Sequence, residues 1–592
     1  MQSRLKLRFR RKFRKSQKQV EDLSLQAEQQ IERHVFKRFG RLSSVRRFVF
    51  SWVGLIVLLI AGVIAQNVLL SGYYQTVRTV PGGIYTEGVL GSFTNASPLY
   101  ATRAADASVS RLLFSGLLRY DNNGTLVGDL ASGYSVDQKG LTYTVQLKPN
   151  LTWHDGQPLT SSDVVFTYKA IQNPDAQSPL QSSWRDIEVT APNPQTVVFK
   201  LASPLASFAY NLTNGIVPQH ILGKVPAADL RSTDFNTVHP VGSGPFKWQA
   251  LEVSGDGRAN SQEQIALVPF DKHVNGKPQL QEFIIHTYTS QEQLVSAFQK
   301  NQITAVSGLT AVPKKLEAKN SVQQHSLPLK AANMVFFKTT SGVLASQKVR
   351  QALVQSADVP KIIDNLGYPV RAVREPFLNG QLGYDPALAQ SGFNLVAAQK
   401  SLDADGWIVG KRDVRYKDGK PLMFVLSAAN TPENKRVTNQ LCEQWRRLGV
   451  DLQVQLQSPT DFQSALTYHS YDAVLYGISI GSDPDVFVYW DSSQADIRSN
   501  NRLNFSEYKN TAADLALEAG RTRLDPQLRT LKYRPFLAAW QQDAPALGLY
   551  QPRSLYLTSG SVNGLNDHTL TTPTDRFDNV WNWQIRQAKV TN

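Results

Sequence analysis

Cysteine is almost missing: Cys442 is the one cysteine in 592 residues. An intrachain disulfide and a thiolate cluster are therefore excluded, so an oxidising compartment is permitted but not exploited. Cys442 lies in VTNQLCEQWRRLGV, a helix-like pattern in which a thiol packs as a small apolar group. Histidine occurs nine times but never as H-x-x-x-H or H-E-x-x-H, so no local transition-metal motif is present. Neither G-x-G-x-x-G nor G-x-x-x-x-G-K-S/T occurs, which removes the usual local signatures of dinucleotide and triphosphate binding. Gly242–Phe246 (GSGPF) has glycines without the lysine or helix start of a phosphate loop. Collagen, coiled-coil and short solenoid repeats are missing beyond residue 80, as are long low-complexity linkers. No metal and no cofactor is expected.

Acidic residues are scarce at the amino terminus. Residues 1–47 hold 15 Lys/Arg and 4 Asp/Glu, so most of the formal net charge of +15 belongs to this tail. Nucleic acid and anionic lipid headgroups both suit such a tail. Lipid is the simpler partner because an apolar run follows at once, and no nucleic-acid partner is expected. Residues 20–39, with Val20, Leu23, Leu25, Ile31, Val35 and Phe39 among charges, read either as an interfacial helix or as part of a topological tail.

The run FVFSWVGLIVLLIAGVIAQNVLL, residues 48–70, carries no charge. As a helix it spans about 34 Å, enough for a hydrocarbon core of about 30 Å. Trp52 near one edge, with Tyr73 and Tyr74 beyond the other, are placed as interfacial anchors. Flanking charge puts the amino terminus in the cytoplasm and the remainder outside, in the extracellular or periplasmic space. A cleaved signal peptide is the competing reading, but 47 preceding residues are long for an n-region and VIAQN is a weak cleavage site.

Beyond the run, short strands alternate with amphipathic helices, which predicts a mixed α/β architecture. The stretch LTYTVQLKPNLTWHDGQPLTSSDVVFTYKAIQ is representative. In it TYTVQL alternates as a strand, HDGQ turns, and Thr160 or Ser161 caps a helix with Asp163 in its first turn. Asp121 and Asp155 suit local turns better than chemistry. One catalytic pattern is literal: Gly477-Ile-Ser479-Ile-Gly481 is a G-x-S-x-G. A nucleophile elbow needs a strand before it and a helix directly after it. YDAVLYG supplies the strand, but Pro484 biases Asp483 away from helical geometry, and His568 is the one later histidine. Ser479-dependent acyl hydrolysis is thus the weaker reading, and the chain is expected not to be an enzyme.

Six segments occur in a recognisable order. YTVQLKPNLTWHDGQPLTSSDVVFTYKA follows FSGLLRYDNNGTLVGDLASGYSVDQKGLTYTVQL and precedes HPVGSGPFKW. KVRQALVQSADVPKII, YDAVLYGISIGSDPDVF and RLNFSEYKNTAADLALEAG come later. From about Leu90 to Tyr550 the chain resembles the extracellular solute-binding proteins of family 5, the oligopeptide-, dipeptide- and nickel-binding components of ABC importers. The resemblance implies an α/β, two-lobe periplasmic-binding-protein-like clamp with an additional subdomain, here preceded by one transmembrane helix. It places a first lobe at 80–117, 241–338 and 550–592, an inserted subdomain at 118–240 and a second lobe at 339–549. The cytoplasmic basic tail (1–47), transmembrane helix (48–70) and linker (71–79) come before these.

The same resemblance implies a peptide or other small polar ligand, an ABC permease as partner and a monomeric ectodomain. It puts Phe93, Thr94, Asn95, Asn214 and Gly215 near the ligand. In relatives that bind a free amino terminus, an acidic residue three positions before the D/E-P pair meets the ammonium; here that position is Ile480. A buried ammonium without a carboxylate is costly, so another acid supplies the charge or the ligand lacks a free amine. Asp483 and Asp485 either take that role or brace the turn. Tyr489 and Trp490 either line the cleft or pack in the core. A ligand-sensing ectodomain without transport is the second alternative, although residues 1–47 hold no recognisable signalling module.

Overall fold

The structure is a computed structural model that describes residues 46–255, 262–317, 321–496, 498–499 and 502–591. The basic tail up to residue 45, including the amphipathic stretch 20–39, lies outside the described residues. The chain divides into two units, Met1–Arg78 with Gln587–Asn592, and Thr79–Arg586.

In the first unit, Arg46–Tyr74 is one helix of 29 residues. Within it Phe48–Leu69 is long and apolar enough to cross a membrane, and none of that window is buried by protein. Leu, Ile and Val with no charge leave Phe48–Leu69 without a polar face to give to water. The following strand Gln75–Val80 pairs with Arg586–Thr591. The last residues, Gln587–Asn592, thus group with the amino-terminal unit rather than with the expected first lobe.

The second unit is built on two large mixed sheets. The seven-stranded sheet runs Gln323–Pro328, Arg553–Thr558, Ala305–Leu309, Ile84–Leu90, Glu282–Tyr288, Gln262–Pro269, Phe246–Ser254. The five-stranded sheet runs Asp451–Gln457, Met423–Ala429, Ala473–Ser479, Ala331–Phe337, Ala546–Tyr550. A smaller antiparallel sheet of four strands, Ala131–Val136, Thr142–Leu147, Thr196–Lys200 and Glu188–Asn193, lies between residues 118 and 240.

Local chemistry explains the elements. Pro432–Leu448 begins after Thr431, whose side chain accepts the Asn434 N–H, and stops at Gly449, whose φ of 96° suits glycine. Its Val437, Leu441, Trp445 and Leu448 form one buried stripe at helical spacing. Asp163 accepts the Thr160 N–H at 2.8 Å, as the capping pattern predicts. Asp121 accepts the N–H groups of Asn123 and Thr125, and Asp155 that of Gln157, so both acids brace turns. Cys442 is half-buried in its helix.

Strand Ala331–Phe337 lies within the range expected for the first lobe but belongs to the five-stranded sheet. Its side chains alternate between two cores, Val335 and Phe337 on one face of the sheet and Ala332, Met334 and Phe336 on the other. A strand apolar on both faces belongs in a sheet interior, and it pairs with Ala473–Ser479 and Ala546–Tyr550. The chain therefore leaves the seven-stranded sheet at Leu329–Lys330, not at residue 338, and returns at Gln551–Pro552.

Candidate ligand-binding site

The two crossovers run side by side. Leu329 donates its N–H to Pro552 O at 2.8 Å, and Gln551 Nε2 donates to Leu329 O at 2.8 Å. Lys330 donates its N–H to Leu570 O, while its own carbonyl accepts the N–H groups of Ile480 and Gly481. The first crossover is thus hydrogen-bonded to the second, to Leu570 and to the turn that follows strand Ala473–Ser479.

A cleft opens beside it in two adjoining compartments of about 480 and 620 Å³. Tyr120, Tyr210, Ser482, Asp483, Asp485 and Thr571 line the first. The second is more apolar, with Pro98, Ala104, Ala107, Phe114 and Pro573 among its walls. Arg111, Thr213, Asn214, Thr572 and Thr574 line both, so the compartments share a border. Concavity, mixed polarity and position between layers are the marks of a small-molecule site.

The acidic turn after strand Ala473–Ser479 is held by two arginines. Arg529 clamps Asp483 with two bonds of 2.7 Å, and both side chains are nearly buried. Arg521 binds Asp485 at 3.0 Å while stacking on Phe487, and Ser207 donates its hydroxyl to the same carboxylate at 3.1 Å. The Asp483 hydrogen bond and charge overcome the cost of burial and raise the Arg529 guanidinium pKa above its ordinary value. Both carboxylates line the cleft, yet each is already neutralised.

Arg111 pairs with Asp578, and Arg576 pairs with the fully buried Glu87, which also accepts from Tyr556 at 2.7 Å. Burial pushes Asp578 up to about 7 despite Arg111. Asp575 spends one oxygen on the N–H groups of Thr571 and Thr572.

The residues expected near ligand divide sharply. Asn214, Asp483 and Asp485 line the first compartment, and Asn214 and Gly215 the second. Phe93, Thr94 and Asn95 line neither. Phe93 is buried against Trp248 with its N–H on Glu263, and Asp106 takes the Thr94 N–H and hydroxyl and the Asn95 N–H. Trp490 is a correction: it is fully buried between Phe336 and Trp540 and is a core residue. Tyr489 lines neither compartment either, its hydroxyl donating to Ser479 O at 2.9 Å. Ile480 is also buried in the core and lines neither compartment.

Ser479 lacks the elbow geometry. The next helix starts at Phe487, and His568 contacts Asn566 O in an exposed loop. Among the described residues no histidine hydrogen-bonds to Ser479.

Sequence reasoning missed Arg111, Tyr120, Tyr210, Lys330, Arg521 and Arg529. Lys330 alone had a local signal, a charge directly before the apolar strand AANMVFF.

Comparison with known proteins agrees with this architecture. The chain is 26% identical over 518 residues to the oligopeptide-binding protein AppA of Bacillus subtilis, covering 85% of this chain and 92% of that one. It is 23% identical to the probable D,D-dipeptide-binding periplasmic protein DdpA of Escherichia coli, covering 84% and 94%. Among solved structures, NikZ from Campylobacter jejuni in complex with Ni(L-His) superposes with a TM-score of 0.71 at 24% identity, covering 85% of this chain and 99% of that one. AppA from Bacillus subtilis in complex with a nonapeptide gives 0.69 at 24% identity, covering 86% and 100%. The fold is accordingly the two-lobe α/β clamp of periplasmic binding proteins. Residues 125–499 match the bacterial extracellular solute-binding proteins, family 5, and the chain belongs to that family.

Proposed function

We propose that this solute-binding protein is a membrane-anchored receptor that delivers peptides or related small polar ligands to an ABC permease. The observation that carries the reading is the cleft beside two hydrogen-bonded crossovers, where rotation about Leu329–Lys330 and Gln551–Pro552 encloses a ligand. The relatives' names supply the ligand class: AppA is called oligopeptide-binding, and NikZ was solved with Ni(L-His). In this reading the first lobe comprises residues 79–328 and 553–586, with 118–240 inserted, and the second lobe comprises 331–550. Lys330 and Gln551 sit in the hinge between them.

The helix Arg46–Tyr74 tethers the receptor, with the basic tail cytoplasmic and in reach of anionic lipid. That arrangement holds the receptor near its permease without a lipidated cysteine. Native mass spectrometry of the full chain in nanodiscs, followed by calorimetry with whatever solute is released, tests the receptor reading. Release of no solute, together with no binding from a library of tri- to hexapeptides, would reject it. Protease digestion of the tail in inside-out vesicles tests the orientation, and protection there would reverse it.

A further inference from the structure

The arginines nearest the acidic turn and the compartment border are paired, and Lys330 is not. Arg111, Arg576, Arg521 and Arg529 each hold a carboxylate, on Asp578, Glu87, Asp485 and Asp483 respectively. Lys330 holds none: among the described residues no carboxylate oxygen lies within 4.0 Å of its ammonium. That ammonium donates to Ser482 Oγ at 2.7 Å and to Gly124 O at 3.3 Å, and it lies 5.5 Å from the centre of the Tyr120 ring. Ser482, Tyr120 and Thr571, which bonds to Ser482 at 2.9 Å, are all walls of the first compartment. An ammonium has three donors, so among the described residues one is still uncommitted.

The acids of the compartment point the other way. Asp483 and Asp485 are neutralised by arginine, Asp575 caps two backbone N–H groups, and Ile480 is a core residue. At the acidic turn a ligand ammonium finds both carboxylates already paired, whereas a ligand anion finds the Lys330 ammonium behind the Ser482 wall, with Asp575 acting on it only through space. We propose that the ligand carries a carboxylate, bound by the Lys330 ammonium, rather than being selected through a free amino group at the acidic turn.

The assignment rests on the receptor reading and deepens it. Burial lowers the Lys330 pKa, while Asp575, Asp121 and Asp578 oppose that fall through space. A carboxylate in contact would restore the charged form. Because the Lys330 backbone also joins Leu570 to Ile480 and Gly481, an anion on its side chain is bound at the hinge itself.

The test uses the full chain in nanodiscs and calorimetry. The probes are tetra-alanine with free ends, its N-acetyl form and its C-terminal amide, with succinate and gluconate as non-peptide acids. Peptide and non-peptide acids distinguish the two sources of a carboxylate. Acetylation should leave affinity within about threefold, and amidation should cost about tenfold or more, the worth of a charge-assisted hydrogen bond. If only succinate or gluconate binds, the carboxylate comes from a non-peptide solute, and Lys330→Met should weaken it by about tenfold or more. Lys330→Met should erase the difference between acid and amide, and Lys330→Arg, which keeps the charge, should preserve it.

Equal affinity of acid and amide in the unaltered chain overturns the assignment, as does loss of affinity on acetylation alone or continued acid selectivity in Lys330→Met. In those cases a solute still binds, so the receptor reading stands. If no solute is released and neither these probes nor the tri- to hexapeptide library bind, the receptor reading fails and the assignment falls with it.

Discussion

At the scale of single residues, the two aspartates of the acidic turn look alike in sequence but differ in surroundings. Asp483 and Arg529 are both 6% exposed at the side chain, whereas Asp485 and Arg521 are 14% and 24% exposed. Breaking a buried pair leaves an uncompensated charge and costs about 3–5 kcal/mol, while a wetter pair is screened. Asp483→Asn should therefore lower stability by about 3 kcal/mol or more and Asp485→Asn by about 1 kcal/mol, measured by urea unfolding. Equal losses would show that burial does not separate them. Ser479→Ala should change neither stability nor solute affinity, and an active-site serine probe should leave the intact chain unlabelled.

Trp490 shows where local reading stops at this scale. An aromatic after an acidic turn suits a cleft wall and a core equally, and only Phe336 and Trp540, distant in sequence, decide between them. Phe93, Thr94 and Asn95 likewise depended on Glu263 and Asp106, which no spacing rule points to.

At the scale of elements, helices Thr511–Arg521 and Pro526–Asp543 carry the two arginines that hold the turn. They approach so closely at Gly520 that an added Cβ would collide with the Tyr533 ring. Gly520→Ala should cost about 1–3 kcal/mol through overpacking. It should also weaken solute binding, since Arg521 adjoins Gly520; calorimetry beside denaturation checks both, and intact affinity would show that the helices yield without moving the turn.

Glu375 gives a second element-level prediction. It is fully buried, it accepts the Asp385 N–H, and burial pushes it from 4.5 up to about 8. A carboxyl with a raised folded pKa keeps its proton better in the folded chain. Its stabilising contribution is therefore complete below about pH 4.5 and is lost as pH rises through about 8. Glu375→Gln should raise Tm at pH 8.5 and flatten the fall in Tm between pH 5 and pH 8.5. An identical fall in both proteins would show that Glu375 is ionised throughout.

Elements were the most legible level. Thr431, Pro432 and Gly449 mark both ends of their helix through local backbone chemistry, and Ala473–Ser479 reads as a strand from its own letters. Lobe assignment was less legible. Whether Ala331–Phe337 closes one sheet or opens the next depends on partners far along the chain, such as Ala546–Tyr550. Lys330 showed only as a charge before an apolar strand, since its place beside the cleft comes from Ser482, Gly124 and Tyr120 meeting around it.

At the scale of the whole molecule, the uncovered apolar helix predicts firm membrane association. The full chain should sediment with membranes and resist extraction by high salt or alkali, and removal of residues 1–70 should release it as soluble protein. Retention of the truncated chain in the pellet would mean that another surface binds the membrane.

The crossovers also set how the molecule is able to move. Four residues, Leu329, Lys330, Gln551 and Pro552, connect the two sheets, and the proline ring removes one of their few soft torsions. With so few degrees of freedom, opening and closing of the proposed receptor would reduce nearly to a single angle. Solutes of different size would then be distinguished to a permease by how far that angle closes, a graded signal carried by a part of the protein that need not touch most of the solute.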